Sequence, residues 1–189
     1  MLTSRERVER ALNHQEADCV PLDLGSSGTT GMQVNSVYQL RQALGLDAPG
    51  TPVKVTEPYQ MLGEIGPDLM DALGIDVVGL GGRRTMFGFE NKGWKPWTLF
   101  DGTPVLVPAA FNTDPEPNGD ILMYPEGDRT ARPSGRMPRG GYYFDSIVRQ
   151  DPIDDEKLNV EDNLEEFGPI SEGDLQHFAC ESERLYRDT

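Results

Sequence analysis

The residues best placed for chemistry in this sequence cluster around a short polar loop, Gly25-Ser-Ser-Gly-Thr-Thr-Gly31. Small residues of this kind can turn successive backbone N–H groups toward an anion. Asp23 stands just before the loop, where a carboxylate can orient a substrate or pair with a cation, and Ser26 supplies a hydroxyl within it. The loop lacks the lysine and spacing of a phosphate loop, so a plain flexible connection is the simpler reading, and for Asp23 the alternative is a structural role in fixing the loop. Arg83 and Arg84 follow the apolar run Ile75–Leu80. Four further arginines, at 129, 132, 136 and 139, precede Gly140-Gly-Tyr-Tyr-Phe144, which contains Tyr143. Planar guanidinium groups at this density suit a carboxylated ligand or an acidic partner. The competing reading pairs them internally with the acidic C-terminal third. Asp23, Ser26, Arg84 and Tyr143 are thus the candidate substrate-binding residues, and no catalytic residue is identified.

Other chemistries lack their groups. The sequence has no Walker motif, no H-E-x-x-H, no G-x-S-x-G and no paired C-x-x-C. His177 and Cys180 share a helix face, but zinc needs three or four ligands and nothing nearby completes the set. The pair His14 and Cys19 is no better supplied.

The elements that must position these groups are legible in part. Thr3 and Glu6 form a capping box that starts a helix running to about His14. Val20, Leu22 and Leu24 alternate with Pro21, Asp23 and Gly25, which predicts a strand. Val37, Leu40 and Leu44 mark a second helix ending at Gly45. A third helix is expected from about Thr56, with Pro58 in its first turn, broken at Gly66-Pro67 and capped at Gly74. Ile75–Leu80 reads as a buried parallel strand. Trp97–Val107 reads as a hairpin turning at Asp101-Gly102, and Ile121–Tyr124 opens a second hairpin through Glu126-Gly-Asp128. A helical turn or two is expected over Asp162–Phe167, and Ser171 caps a last helix to about Arg187. The expected organisation is residues 1–86 as an N-terminal helix with the first β/α units, 87–150 as an antiparallel excursion, and 151–189 as an acidic helical segment. Two parallel strands cannot by themselves make a sheet covered on both faces, so truncation of a larger fold is expected.

Composition sets outer limits. The chain has 189 residues and a formal net charge of −15, and residues 151–189 carry thirteen acidic and three basic side chains, a local balance of −10. Such a surface repels nucleic-acid phosphates. Two distant cysteines give no disulfide framework. With no apolar signal core and no long apolar run, the expectation is a cytoplasmic protein without a membrane segment.

Ser4-Arg-Glu-Arg-Val8, Ala11-Leu-Asn-His14 and Val20-Pro-Leu-Asp-Leu-Gly25 resemble the opening of the uroporphyrinogen decarboxylase-like superfamily. The likeness is greatest to its cobalamin-dependent methyltransferase branch. It continues through Leu73-Gly-Ile-Asp-Val-Val78 and the Trp94–Val107 stretch. The resemblance implies an α/β fold, the N-terminal portion of a (β/α)8 TIM-type barrel with an antiparallel β-hairpin insertion, whose active site lies at the C-terminal strand ends. Arg84 would then sit on the active-site face. It implies a corrinoid-dependent methyltransferase acting on a small methylated compound, with a corrinoid carrier protein as partner and a homo-oligomer as a possible assembly. Zinc and cobalamin belong to the full-length family member. Its H-x-C pair and later Cys have no counterpart here, so none is expected bound to this fragment, which alone should be inactive. A uroporphyrinogen decarboxylase-like lyase is disfavoured. The arginine-rich segment that would hold carboxylates is replaced by residues 25–31, and Gly-Gly-Arg-Arg stands where a catalytic aspartate would follow the second strand. A non-catalytic binding module is the remaining alternative.

Overall fold

A computed structural model describes residues 1–149, 154–158 and 169–189. The helical turn expected over Asp162–Phe167 lies outside them. The first helix, α1 (Ser4–Leu12), begins with the reciprocal capping box of Thr3 and Glu6. Its expected apolar stripe does not enter the core: α1 buries no side chain. Polar bonds hold it instead, chiefly those of Arg7.

The Val20–Gly25 segment forms no ladder, and neither does Ile75–Leu80. Both strand expectations fail where the two segments meet. Asp76 N–H donates to the Leu22 carbonyl (2.8 Å), but Leu22 N–H returns to the Asp76 carboxylate (2.9 Å) rather than to a carbonyl. Pro21 has no N–H to offer. The two segments lie side by side, joined through a side chain where a sheet would use backbone.

Helix α2 (Val34–Ala43) buries Val34 and Val37. It is followed by β1 (Val53–Glu57), not by the helix expected from Thr56. Val53 and Val55 alternate with Lys54 and Thr56, a period of two that the proline obscured. Pro58 sits in a turn, where the Glu57 carboxylate accepts the N–H groups of Tyr59 (3.0 Å) and Gln60 (2.7 Å). The short β2 (Leu62–Gly63) then pairs antiparallel with β1 across a bulge. Gly66-Pro67 begins a helix rather than interrupting one: Pro67 is the first residue of α3 (Pro67–Leu73), and Gly74 closes it in the left-handed conformation. Arg41 ties α2 to α3 by bonding both Asp47 (2.6 Å) and Asp68 (2.7 Å).

The first expected hairpin is present as β3 (Lys95–Thr98) and β4 (Pro104–Val107), with Trp97 opposite Val105. Strand β4 also pairs parallel with β1, giving a mixed sheet of order β2-β1-β4-β3. A second, antiparallel sheet is a meander of β5 (Ile121–Met123), β6 (Gly135–Met137) and β7 (Asp145–Ser146). Its first turn is wider than Glu126–Asp128 alone and includes a 3-10 turn at Pro125–Gly127.

One hydrophobic cluster spans both sheets. It takes Val53, Val55 and Leu69 from before position 87 and Phe87, Phe111 and Phe144 from beyond it. Phe144 meets the edges of Phe87 and Phe111 at 5.4 and 5.8 Å between centroids, a favourable aromatic geometry. Ser171 caps the last helix, α4 (Glu172–Asp188), as expected. This helix rests on the surface through Arg5, whose guanidinium donates to the Tyr186 carbonyl (2.6 Å) and lies over its ring. The fold is mixed α/β, with four α-helices, two small sheets and no closed barrel among the described residues. No helix among them is long and apolar enough to cross a membrane.

Candidate functional site

Asp23 and Ser26 come together as the sequence suggests, but they hold each other. The Asp23 carboxylate accepts from the Ser26 N–H (3.2 Å), the Ser26 hydroxyl (2.5 Å) and the Thr30 hydroxyl (3.2 Å). Gly25 N–H closes the loop onto the Thr30 carbonyl (2.9 Å). Gly79 packs against this loop so closely that an added Cβ would lie 2.3 Å from the Ser26 carbonyl oxygen. The loop after the first extended segment and the chain leaving the second therefore emerge side by side.

Arg84 stands elsewhere. Its Nη1 donates to Glu126 (2.7 Å) and to the Gly88 carbonyl (3.3 Å), bridging the chain at 84–88 to the 3-10 turn. It lines a cleft of about 780 Å³ together with Arg83 and Arg149. Tyr59, Thr85, Ser134 and Ser146 line the same cleft. The Tyr59 and Ser146 hydroxyls hydrogen-bond at 2.9 Å. Thr85 Oγ1 is buried without a hydrogen-bond partner among the described residues. Arg83 pairs with Glu90 (3.1 Å) and lies 3.9 Å from Asp174 at the start of α4. The Ser171 hydroxyl and the nearby arginines hold the Asp174 carboxyl below its ordinary value.

Tyr143 is 61% exposed and does not line this cleft. No hydrogen bond joins Asp23 or Ser26 to Arg84 or Tyr143 among the described residues. The four candidates thus fall into a loop pair, one cleft residue and one surface residue. Tyr59, Thr85, Ser134 and Arg149 complete the cleft and were not legible in the sequence. They come from separate segments with no shared spacing, and only the folded chain assembles them.

Two of the four arginines between 129 and 139 pair with acids that lie outside the C-terminal third. Arg129 bonds Asp114 and Arg136 bonds Asp120, each at 2.6 Å. Arg136 and the Arg139 N–H hold the Asp120 carboxyl below its usual range. His177 Nε2 donates to the Gly81 carbonyl (3.0 Å), which joins α4 to the chain after Leu80. No cluster of three or more His, Cys, Asp or Glu side chains suited to a metal occurs among the described residues. The chain matches no protein family, no curated protein and no solved structure.

Proposed function

We propose that this chain is the N-terminal part of a uroporphyrinogen decarboxylase-like enzyme with a (β/α)8 barrel, whose activity is corrinoid-dependent transfer of a methyl group from a small methylated compound. The observation that supports it most is the side-by-side course of Val20–Gly25 and Ile75–Leu80, joined at Leu22 and Asp76. Two neighbouring extended segments whose following loops emerge together form the arrangement from which an α/β enzyme builds its active face. Apolar side chains along them are exposed, with Val20 at 87%, and further strands and helices would cover them. The described residues do not fit a zinc site, so no step is assigned to that metal. The chain's own contribution is the hydrogen-bonded loop at residues 25–31 and a separate arginine-lined cleft.

The test is formation of methylcobalamin from cob(I)alamin and a panel of methylated amines, thiols and aryl methyl ethers, followed by absorbance. Residues 1–189 are compared with the product of a reading frame extended past Thr189. Activity confined to the longer product supports the proposal. Full activity in residues 1–189 alone overturns the division of labour, and inactivity of both overturns methyl transfer.

A further inference from the structure

We propose that the cleft between residues 83–88 and the β5–β6–β7 sheet binds a small aromatic carboxylate, gripped by the open edge of Arg84. Both hydrogen bonds that Arg84 makes to protein use Nη1. Its Nε and Nη2 have no hydrogen-bond partner among the described residues, and these two donors form the edge that takes a carboxylate through parallel bonds. The existing pair with Glu126 is between two side chains that are each more than half exposed. Such pairs contribute little stability and exchange readily.

Arg83 and Arg149 line the same cleft and add positive potential near the carboxylate. The acids facing them do not form a cation site of their own. Glu126 is bonded to Arg84, Glu90 to Arg83 and Lys92, and Asp174 to the Ser171 hydroxyl. Phe87, Pro125 and Pro169 supply apolar wall, and Met86 stands largely exposed at the same place. An aromatic body would cover that apolar surface. This inference does not depend on methyl transfer, because binding would occur in the chain as it stands.

The experiment titrates the isotope-labelled 189-residue chain with benzoate, benzamide and benzylammonium, reading amide shifts by NMR. Benzoate is expected to give saturable shifts at residues 83–88, Ser134 and Ser146. Benzamide, which has the shape without the charge, should bind at least about tenfold more weakly, since it forfeits the charge-assisted pair. Arg84→Gln should weaken benzoate about fivefold or more while leaving the melting temperature unchanged, because the side chain is exposed. Equal or tighter binding of benzamide or benzylammonium overturns the proposal. So does full benzoate affinity in Arg84→Gln, or a benzoate response confined to other parts of the chain.

Discussion

The Arg7 guanidinium and the Asp76 carboxylate form an ion pair that fastens α1 to the start of the 75–80 segment, and the same carboxylate receives the Leu22 N–H. The Asp76 side chain is 2% exposed. Arg7 also bonds Asp18 at 2.8 Å, so one acid–base cluster joins three stretches of chain. Removing its central carboxylate should therefore act on all three. Asp76→Ala leaves Arg7 and the Leu22 N–H short of an acceptor, at an expected cost of about 2–3 kcal/mol. For a chain of this size that is a fall in melting temperature of roughly 5–10 °C, measurable by calorimetry. An unchanged melting temperature would show that the cluster is dispensable.

The same cluster sets a pH response. Burial pushes the Asp76 carboxyl up, but the Leu22 N–H, Ser4 and Arg7 together outweigh it and hold the group below its ordinary value. Arg7 and the Leu2 N–H lower Asp18, and Arg136 and the Arg139 N–H lower Asp120. A carboxyl lowered in the folded state stabilises the fold above its unfolded value, near about pH 4, and loses that contribution as acid reaches the folded value. Urea midpoints should accordingly fall from about pH 5 toward pH 2, and Asp76→Asn should flatten part of that slope. Stability that rises on acidification would contradict the assignment.

Gly79 offers a steric test of the contact between the two extended segments. A methyl group there would meet the Ser26 carbonyl, which is backbone and cannot swing aside. Gly79→Ala should destabilise by about 1–3 kcal/mol through overpacking. At Gly81 a Cβ meets nothing within 4 Å, so Gly81→Ala should be near neutral. Denaturation of the two variants side by side separates close approach from a general intolerance of alanine in this stretch.

Phe144 tests whether the two sheets unfold together. It is 1% exposed, touches the rings of Phe87 and Phe111, and its N–H donates to the Tyr59 carbonyl between β1 and β2 at 2.8 Å. Phe144→Ala should cost about 3–5 kcal/mol and shift one cooperative transition. Two separated transitions in either protein would mean that the sheets have independent stabilities.

The parts of the fold legible in the sequence were those specified locally. The Thr3–Glu6 box, the cap at Gly74, the Asp101-Gly102 hairpin and the Ser171 cap each depend on a few adjacent residues, and all are present. What escaped were decisions made by distant partners. Val53–Glu57 becomes a strand because β4 lies beside it, whereas Pro58 alone argued for a helix. Val20–Gly25 has strand periodicity but receives a carboxylate where a ladder needs a carbonyl. The candidate site divides in the same way. Asp23 and Ser26, three residues apart, meet within one loop, while Arg84 meets its cleft neighbours only through folding.

The parallel pairing of β1 with β4 also constrains the order of events during synthesis. Val53 must wait for Val105, about fifty residues later, before its strand gains that neighbour. At ordinary ribosomal rates of roughly 5–20 residues per second, this is a delay of about 3–10 s. Over that interval β1 has only the two-residue β2 as a sheet partner among the described residues. Contacts so far apart in sequence carry a loop-closure cost that slows folding relative to a chain built from local pairings.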